Sequence, residues 1–222
     1  MKIKSFFFIA FSILITFNSF SQKQDRKFKI HTLAFYNLEN LFDTINDINK
    51  DDEKSPIMEI KFNRGKIYKQ KVSNMARVIS DIGYEITNRP PSIIGICEVE
   101  NRNVVEDLIA NEKLSKYNYG IVHYDSPDKR GIDVGLLYNK DVFEVMNSKS
   151  HVLYINYNNT SNRSYTRDQL VVSGKLDGEL IHLIVNHWPS RGADETKRMA
   201  AAEVNNNIID SLRKIHNNPK II

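Results

Sequence analysis

Cysteine is almost absent: Cys97 is the only one in 222 residues. No internal disulfide can form, so the fold has to be held by its apolar core. Flanked by Ile96 and, two residues on, Val99, the thiol reads as a small packed residue. Charge of one sign is also scarce. The 31 basic and 27 acidic residues leave +4, and without Lys2 and Lys4 the balance is 29 against 27, or +2. Net charge alone therefore gives no argument for a nucleic-acid partner. There is no fixed-period repeat and no low-complexity tract, which excludes solenoids and disordered tails and leaves one compact unit. Long apolar runs are missing as well. The longest, "FFFIAFSILITF", has 12 residues, short of the roughly 20 that a membrane-spanning helix needs.

That run follows Lys2 and Lys4 and precedes Ser19 and Ser21, the pattern of a secretory signal peptide over residues 1–21. The expected mature protein begins near Gln22, has no membrane span, and is secreted or periplasmic. No cysteine follows the apolar run, so a lipid-modified N-terminus is not expected.

Downstream, "FKIHTLAFYN" is rich in β-branched and aromatic residues and predicts a first strand near Phe28 to Asn37. The acidic segment from Asp43 to Lys54 predicts a surface loop. Asp47, Asn49 and Asp51 alternate as in a calcium loop, but Asp52 stands where glycine is required and Met58 where the closing glutamate belongs, so it is no EF-hand. Ile67, Val72, Met75, Ile79 and Ile82 predict an amphipathic helix from about Lys66 to Asp81. "PPSIIGICEVE" predicts a strand buried on both faces, and "NVVEDLIANEKL" a second helix. Strand-like runs follow: "YNYGIVHYD", "IDVGLLYN", "VLYINY" and "RDQLVVSGKL". Asp177-Gly178 then turns into "ELIHLIVNHW". A long helix starts from the N-cap candidate Asp194, and "NNPKII" opens a further strand. This order predicts an α/β architecture with hairpin neighbours.

Several polar residues sit at the tips of the apolar strands. Asn37 closes "LAFYN", Glu98 closes "IIGICE" and His187 closes "LIVNH", while Asp133 and Arg167 open their strands. Side chains on strand tips can converge on one rim of a rigid scaffold. Singly, each has a structural reading: Asn37 can cap a turn and His187 can satisfy a carbonyl.

Taken in order, "FYNLENLFD", "GICEVEN", "SPDKRGIDVGLLYN", "TRDQLVVSG" and "VNHWPSRGADETKRMAAAE" closely resemble the endonuclease/exonuclease/phosphatase family, the deoxyribonuclease-like phosphodiesterases, in its exported bacterial branch. The resemblance spans about Phe35 to Ile222. It implies a four-layer sandwich over residues 28–222, with two face-to-face mixed β-sheets flanked by helices. It implies hydrolysis of phosphodiesters with Mg²⁺ or Mn²⁺, on nucleic acid or another phosphodiester, by a monomer. It assigns Asn37 to a hydrogen bond within the active centre and Glu98 to the metal. Arg167 falls to a substrate phosphate, and His187 to stabilising the transition state. Glu39, Asp133 and Arg191 are weaker members of the set, and the other histidines match no motif.

The chemistry suits these roles. A hard carboxylate oxygen fits Mg²⁺, an Arg fork fits phosphate, and a histidine can donate to an oxygen where charge grows. Phosphatases and phospholipid phosphodiesterases share this framework, so both stay open, as does a non-catalytic binding protein that retains the fold. In relatives a Gly-Asp-x-Asn motif follows the last helix and a Ser-Asp-His motif closes the domain. "PKII" reaches neither. The expectation is therefore a fragment, incomplete at the C-terminus, unstable and inactive by itself.

Overall fold

The computed structural model describes residues 28–156 and 162–222. The signal-peptide reading lies outside them. His31–Ile222 form one compact unit; of the other, Met1–Ile30, residues 28–30 alone are described.

The first sheet has the order β1-β2-β4-β3, from Leu33–Leu41, Ile93–Val99, Asp133–Asn139 and Tyr119–His123 respectively. β1 runs parallel to β2, and the other neighbours are antiparallel. The period-two alternation of β2 sorts its residues between two cores. Ile94 and Ile96 meet helices α1 (Arg64–Asp81) and α2 (Arg102–Ala110) through Val72, Met75, Ile79, Val104 and Leu108. Ile93 and Cys97 point the other way, into a layer shared with Leu170, Val172, Leu183 and Val185 of the second sheet. That sheet is antiparallel, in the order β5 (Phe143–His151), β8 (Gln169–Leu176), β9 (Glu179–Val185). A third helix, α3 (Glu195–Ile215), is tied to the second sheet by Gln169 Nε2 donating to Ala201 O at 2.7 Å. Helices, sheet, sheet and helix make the expected four-layer sandwich.

Local signals explain the boundaries. Asn101 caps α2 by accepting from Val104 N at 3.1 Å, and Asp194 caps α3 by accepting from Thr196 N at 2.8 Å. The residues after α3 pair in parallel with β9: His182 N donates to Lys220 O, and Ile222 N to His182 O. Two expectations need correction. The first strand does not close at Asn37 but continues to Leu41 across an irregular register. The strand expected at "VLYINY" is a two-residue ladder, Ile155–Asn156 (β6) on Arg163–Ser164 (β7), whereas the polar stretch Phe143–His151 forms the long edge strand β5. An edge strand with one wet face needs little apolar alternation, so its sequence signal is faint.

Candidate functional site

The site begins with a local distortion. The register of β2 against both neighbours breaks between Cys97 and Val99, and Glu98 has φ +60°. Opposite it, Glu39 and Asn40 have φ +50° and +57°. Three non-glycine residues in the left-handed region, gathered at two adjacent strand ends, each carry strain on the order of 1–3 kcal/mol. Neighbouring groups hold the distortion in place. Asn37 Oδ1 accepts from Glu39 N at 2.7 Å, and Lys71 of α1 donates to the carbonyls of Glu39 and Asn40. The bulge turns the Glu98 side chain out of the two buried layers. Its Oε2 accepts from Asn40 N at 3.1 Å, and its Oε1 lies 3.2 Å from His187 Nε2.

His187 follows β9 and is half-buried. Burial lowers its pKa first, the Arg167 charge lowers it further, and Glu98 opposes both. The imidazole is thus disposed to be neutral, with Nε2 the ring nitrogen nearest Glu98.

Glu98, Arg167 and His187 open onto one groove of about 420 Å³, lined also by Asp128, Lys129, Arg130, Tyr165, Trp188 and Lys197. Arg167 is buried in the groove wall, its nitrogens engaged by neighbouring protein groups. Its Nη1 meets Asp128 Oδ2 at 3.0 Å, its Nε and Nη2 donate to His187 O at 3.1 and 2.9 Å, and Nη2 also reaches Trp188 O at 3.1 Å. A buried carboxylate thus fixes a guanidinium that fixes the His187 peptide. Asp128 also lies 3.7 Å from Arg130.

The other candidates sit apart from this groove. Asp133 is fully buried and accepts from Ser126 N and Oγ at 2.8 and 2.6 Å and from His123 Nε2 at 3.1 Å. It anchors the loop that carries Lys129 and Arg130, and Asp125 closes a His123-Asp125-Asp133 cluster whose ligand atoms lie within 4.8 Å of one another. Asn37 Oδ1 holds the backbone of Glu39, and Glu98 accepts from the N–H of the next residue, Asn40. Arg191 is exposed and does not line the groove. A larger cavity of about 700 Å³, bounded by Asn186, Asn205, Arg213 and His216, lies between β9 and α3, away from Glu98.

Asp128, Lys129, Arg130, Tyr165 and Trp188 were not singled out by sequence reasoning. The two aromatics come from separate segments and converge only in the fold.

A hard cation fits Glu98. The carboxylate faces the groove, and its only ion-pair contact within 4 Å among the described residues is with His187, an imidazole disposed to be neutral.

No curated protein matches the sequence. Solved structures do. An endonuclease/exonuclease/phosphatase from Bacteroides vulgatus is 18% identical, with a TM-score of 0.49, over 82% of this chain and 59% of that one. TDP2 from Caenorhabditis elegans is 16% identical, with a TM-score of 0.51, over 71% and 41%. A mannosyl-6-phosphatase from Bacteroides thetaiotaomicron is 16% identical, with a TM-score of 0.51, over 85% and 62%. The chain spans about 41–62% of the length of these relatives. At such identities the latter two speak for the fold. The sequence profile of the Endonuclease/Exonuclease/phosphatase family matches residues 32–222. This chain belongs to the endonuclease/exonuclease/phosphatase family.

Proposed function

We propose that the protein is an exported hydrolase of phosphodiesters, dependent on Mg²⁺ or Mn²⁺ and acting as a monomer on nucleic acid. The observation that carries this reading is the Glu98–His187 pair, 3.2 Å apart in a groove lined by Lys129, Arg130 and Lys197. Cations around an acid–imidazole pair suit a substrate whose reacting centre is anionic.

Glu98 would hold the metal, which when bound polarises phosphoryl oxygens and stabilises negative charge. The chain's own residues do the rest. The backbone N–H of Asn40 fixes one Glu98 oxygen and leaves the other facing the groove. His187 can give its Nε2 hydrogen to a non-bridging oxygen, as a donor that strengthens while charge accumulates. Asp128 and Arg167 hold that imidazole in place by gripping the His187 and Trp188 carbonyls.

Nucleic acid is favoured by the aromatics. Tyr165 and Trp188 are 46% and 36% exposed and line the same groove as Lys129 and Arg130. Base faces stack on such rings while cations track the backbone. Among the described residues no helix is long and apolar enough to cross a membrane. The name of one structural relative, a mannosyl-6-phosphatase, makes a sugar phosphomonoester the control substrate.

The test is a panel of single-stranded DNA, RNA, a sugar phosphomonoester and a choline phospholipid, assayed with Mg²⁺ and with chelator. Cleavage of a nucleic acid that needs metal and is lost in Glu98→Gln supports the reading. Turnover of the phosphomonoester or phospholipid alone, or hydrolysis indifferent to chelator, refutes it.

A further inference from the structure

On α1, Tyr68 and Met75 pack against the core, and Lys71 stands between them, three residues after one and four before the other. Those spacings share one helix face, so a lysine occupies a place on the apolar stripe. It is half-buried and does not line the groove. Its stem can lie along apolar neighbours while the ammonium reaches a polar target. That target is the end of β1. There the register passes from Asn37 opposite Cys97 to Leu41 opposite Val99, so Leu38, Glu39 and Asn40 face the single residue Glu98. A ladder with three residues against one cannot pair all their carbonyls. Lys71 Nζ donates to two of them, Glu39 O at 2.5 Å and Asn40 O at 2.9 Å. Phe42 N adds a turn contact to Asn40 O at 3.0 Å.

Glu39 and Asn40 have left-handed backbone, which persists only where the surroundings impose it. Asn37 Oδ1 grips Glu39 N from within the strand, and Lys71 grips the two carbonyls from the helix. Held in this way, the Asn40 N–H points at Glu98 Oε2, 3.1 Å away. We propose that Lys71 is a positioning residue for Glu98: acting through the backbone of Glu39 and Asn40, it fixes one oxygen of the carboxylate and so sets its affinity for a hard divalent cation. The proposal rests on the metal role given to Glu98 above. A lysine suits the task, because an ammonium has three donors and no acceptor and can bridge adjacent carbonyls. Groups that orient a metal ligand from outside typically change metal affinity by about 10–100-fold when removed.

The experiment takes two readings on the full chain. Amide exchange followed by NMR in metal-free protein reports on the Asn40 N–H, and calorimetry reports Mn²⁺ binding. Wild type, Lys71→Met, Lys71→Arg, Lys71→Gln and Glu98→Gln are compared. Lys71→Met keeps the stem and removes the donors, so the Asn40 N–H should exchange faster and Mn²⁺ should bind about 10–100-fold more weakly. Lys71→Arg, whose fork can donate to both carbonyls, should stay close to wild type in both readings. Lys71→Gln keeps one amide group and should fall between them; it carries the comparison if Lys71→Met does not fold. A lysine that only packs would give a lower melting temperature with Asn40 exchange and Mn²⁺ affinity unchanged, and that result overturns the proposal. So does tighter Mn²⁺ binding in Lys71→Met, which would mean that losing a positive charge outweighs losing two hydrogen bonds. Glu98→Gln separates this failure from that of the proposed activity. If wild type binds Mn²⁺ and Glu98→Gln does not, the metal role stands whatever Lys71 does; wild type that binds no Mn²⁺ overturns both.

Discussion

Replacing Arg167 by lysine separates two roles for the same residue. The family resemblance gives Arg167 a substrate phosphate, whereas the structure shows four contacts, to Asp128, twice to His187 O, and to Trp188 O. A lysine can keep the Asp128 contact or one carbonyl, but its single ammonium cannot span all of them. Hydrogen bonds from a charged donor contribute about 1.5–3 kcal/mol each. Water can recover part of the loss at the half-buried His187 carbonyl, so Arg167→Lys should cost about 2–4 kcal/mol. For a chain of this length that is a fall in melting temperature of roughly 5–15 °C. The rate should fall with it, because the His187 peptide loses its anchor. Arg167→Met should cost more, about 3–5 kcal/mol, since it strands the Asp128 carboxylate, which is 5% exposed. Adding Asp128→Asn should then restore part of the stability. Differential scanning calorimetry and steady-state kinetics on the same samples decide the matter. An unchanged melting temperature with only a raised KM in Arg167→Lys would place the guanidinium on the substrate and refute the positioning role.

Three further outcomes are expected. His187→Ala should lower kcat by about a hundred- to a thousandfold, the scale of one oxyanion donor, while leaving the melting temperature within about 2 °C; a loss under tenfold would argue against direct contact with the reacting centre. Burial, followed by the charges of Asp43 and Asp52 against an opposing hydrogen bond from Asp43 N, pushes Glu100 up to about 8. The stability this confers is complete below the unfolded value near 4.5 and is lost as pH rises to about 8, at no more than about 1.4 kcal/mol per pH unit. Urea unfolding at pH 5 and pH 8 should show the decline, and Glu100→Gln should flatten it. Gly174→Ala should destabilise by about 1–3 kcal/mol, because a Cβ there would meet Phe143 Cζ at 2.4 Å and Glu144 O at 2.5 Å; a neutral effect in denaturant titration would show that β5 yields easily.

The sequence showed most clearly what burial imposes. β2 and α1 were legible because two-sided burial and helical spacing leave apolar residues at fixed intervals, as at Ile93, Ile94, Ile96, Val72 and Ile79. The strand tips bearing Glu98 and His187 were legible because each apolar run ends in a polar residue. The edge strand β5 was not, since its alternation serves only one face. Nor was the bulge at Glu98, because left-handed backbone at a glutamate leaves no compositional trace. The Asp128–Arg167–His187 chain joins residues 39 and 20 positions apart, a pairing that only the folded sheet brings about. The same holds for Asp52 and Glu100: the loop reads as solvated, yet Asp52 within it and Glu100 beyond the end of β2 are buried.

Cys97 immediately precedes Glu98, faces the layer between the two sheets, and is fully buried. Burial pushes its thiol up to about 12, so at neutral pH it is both hidden and protonated. With a single thiol in the chain, the rate of its alkylation under native conditions is a clock for one event, the parting of the sheets beside Glu98. Substrate or metal that tightens this strand end would slow the clock, with no reporter engineered in and no residue changed.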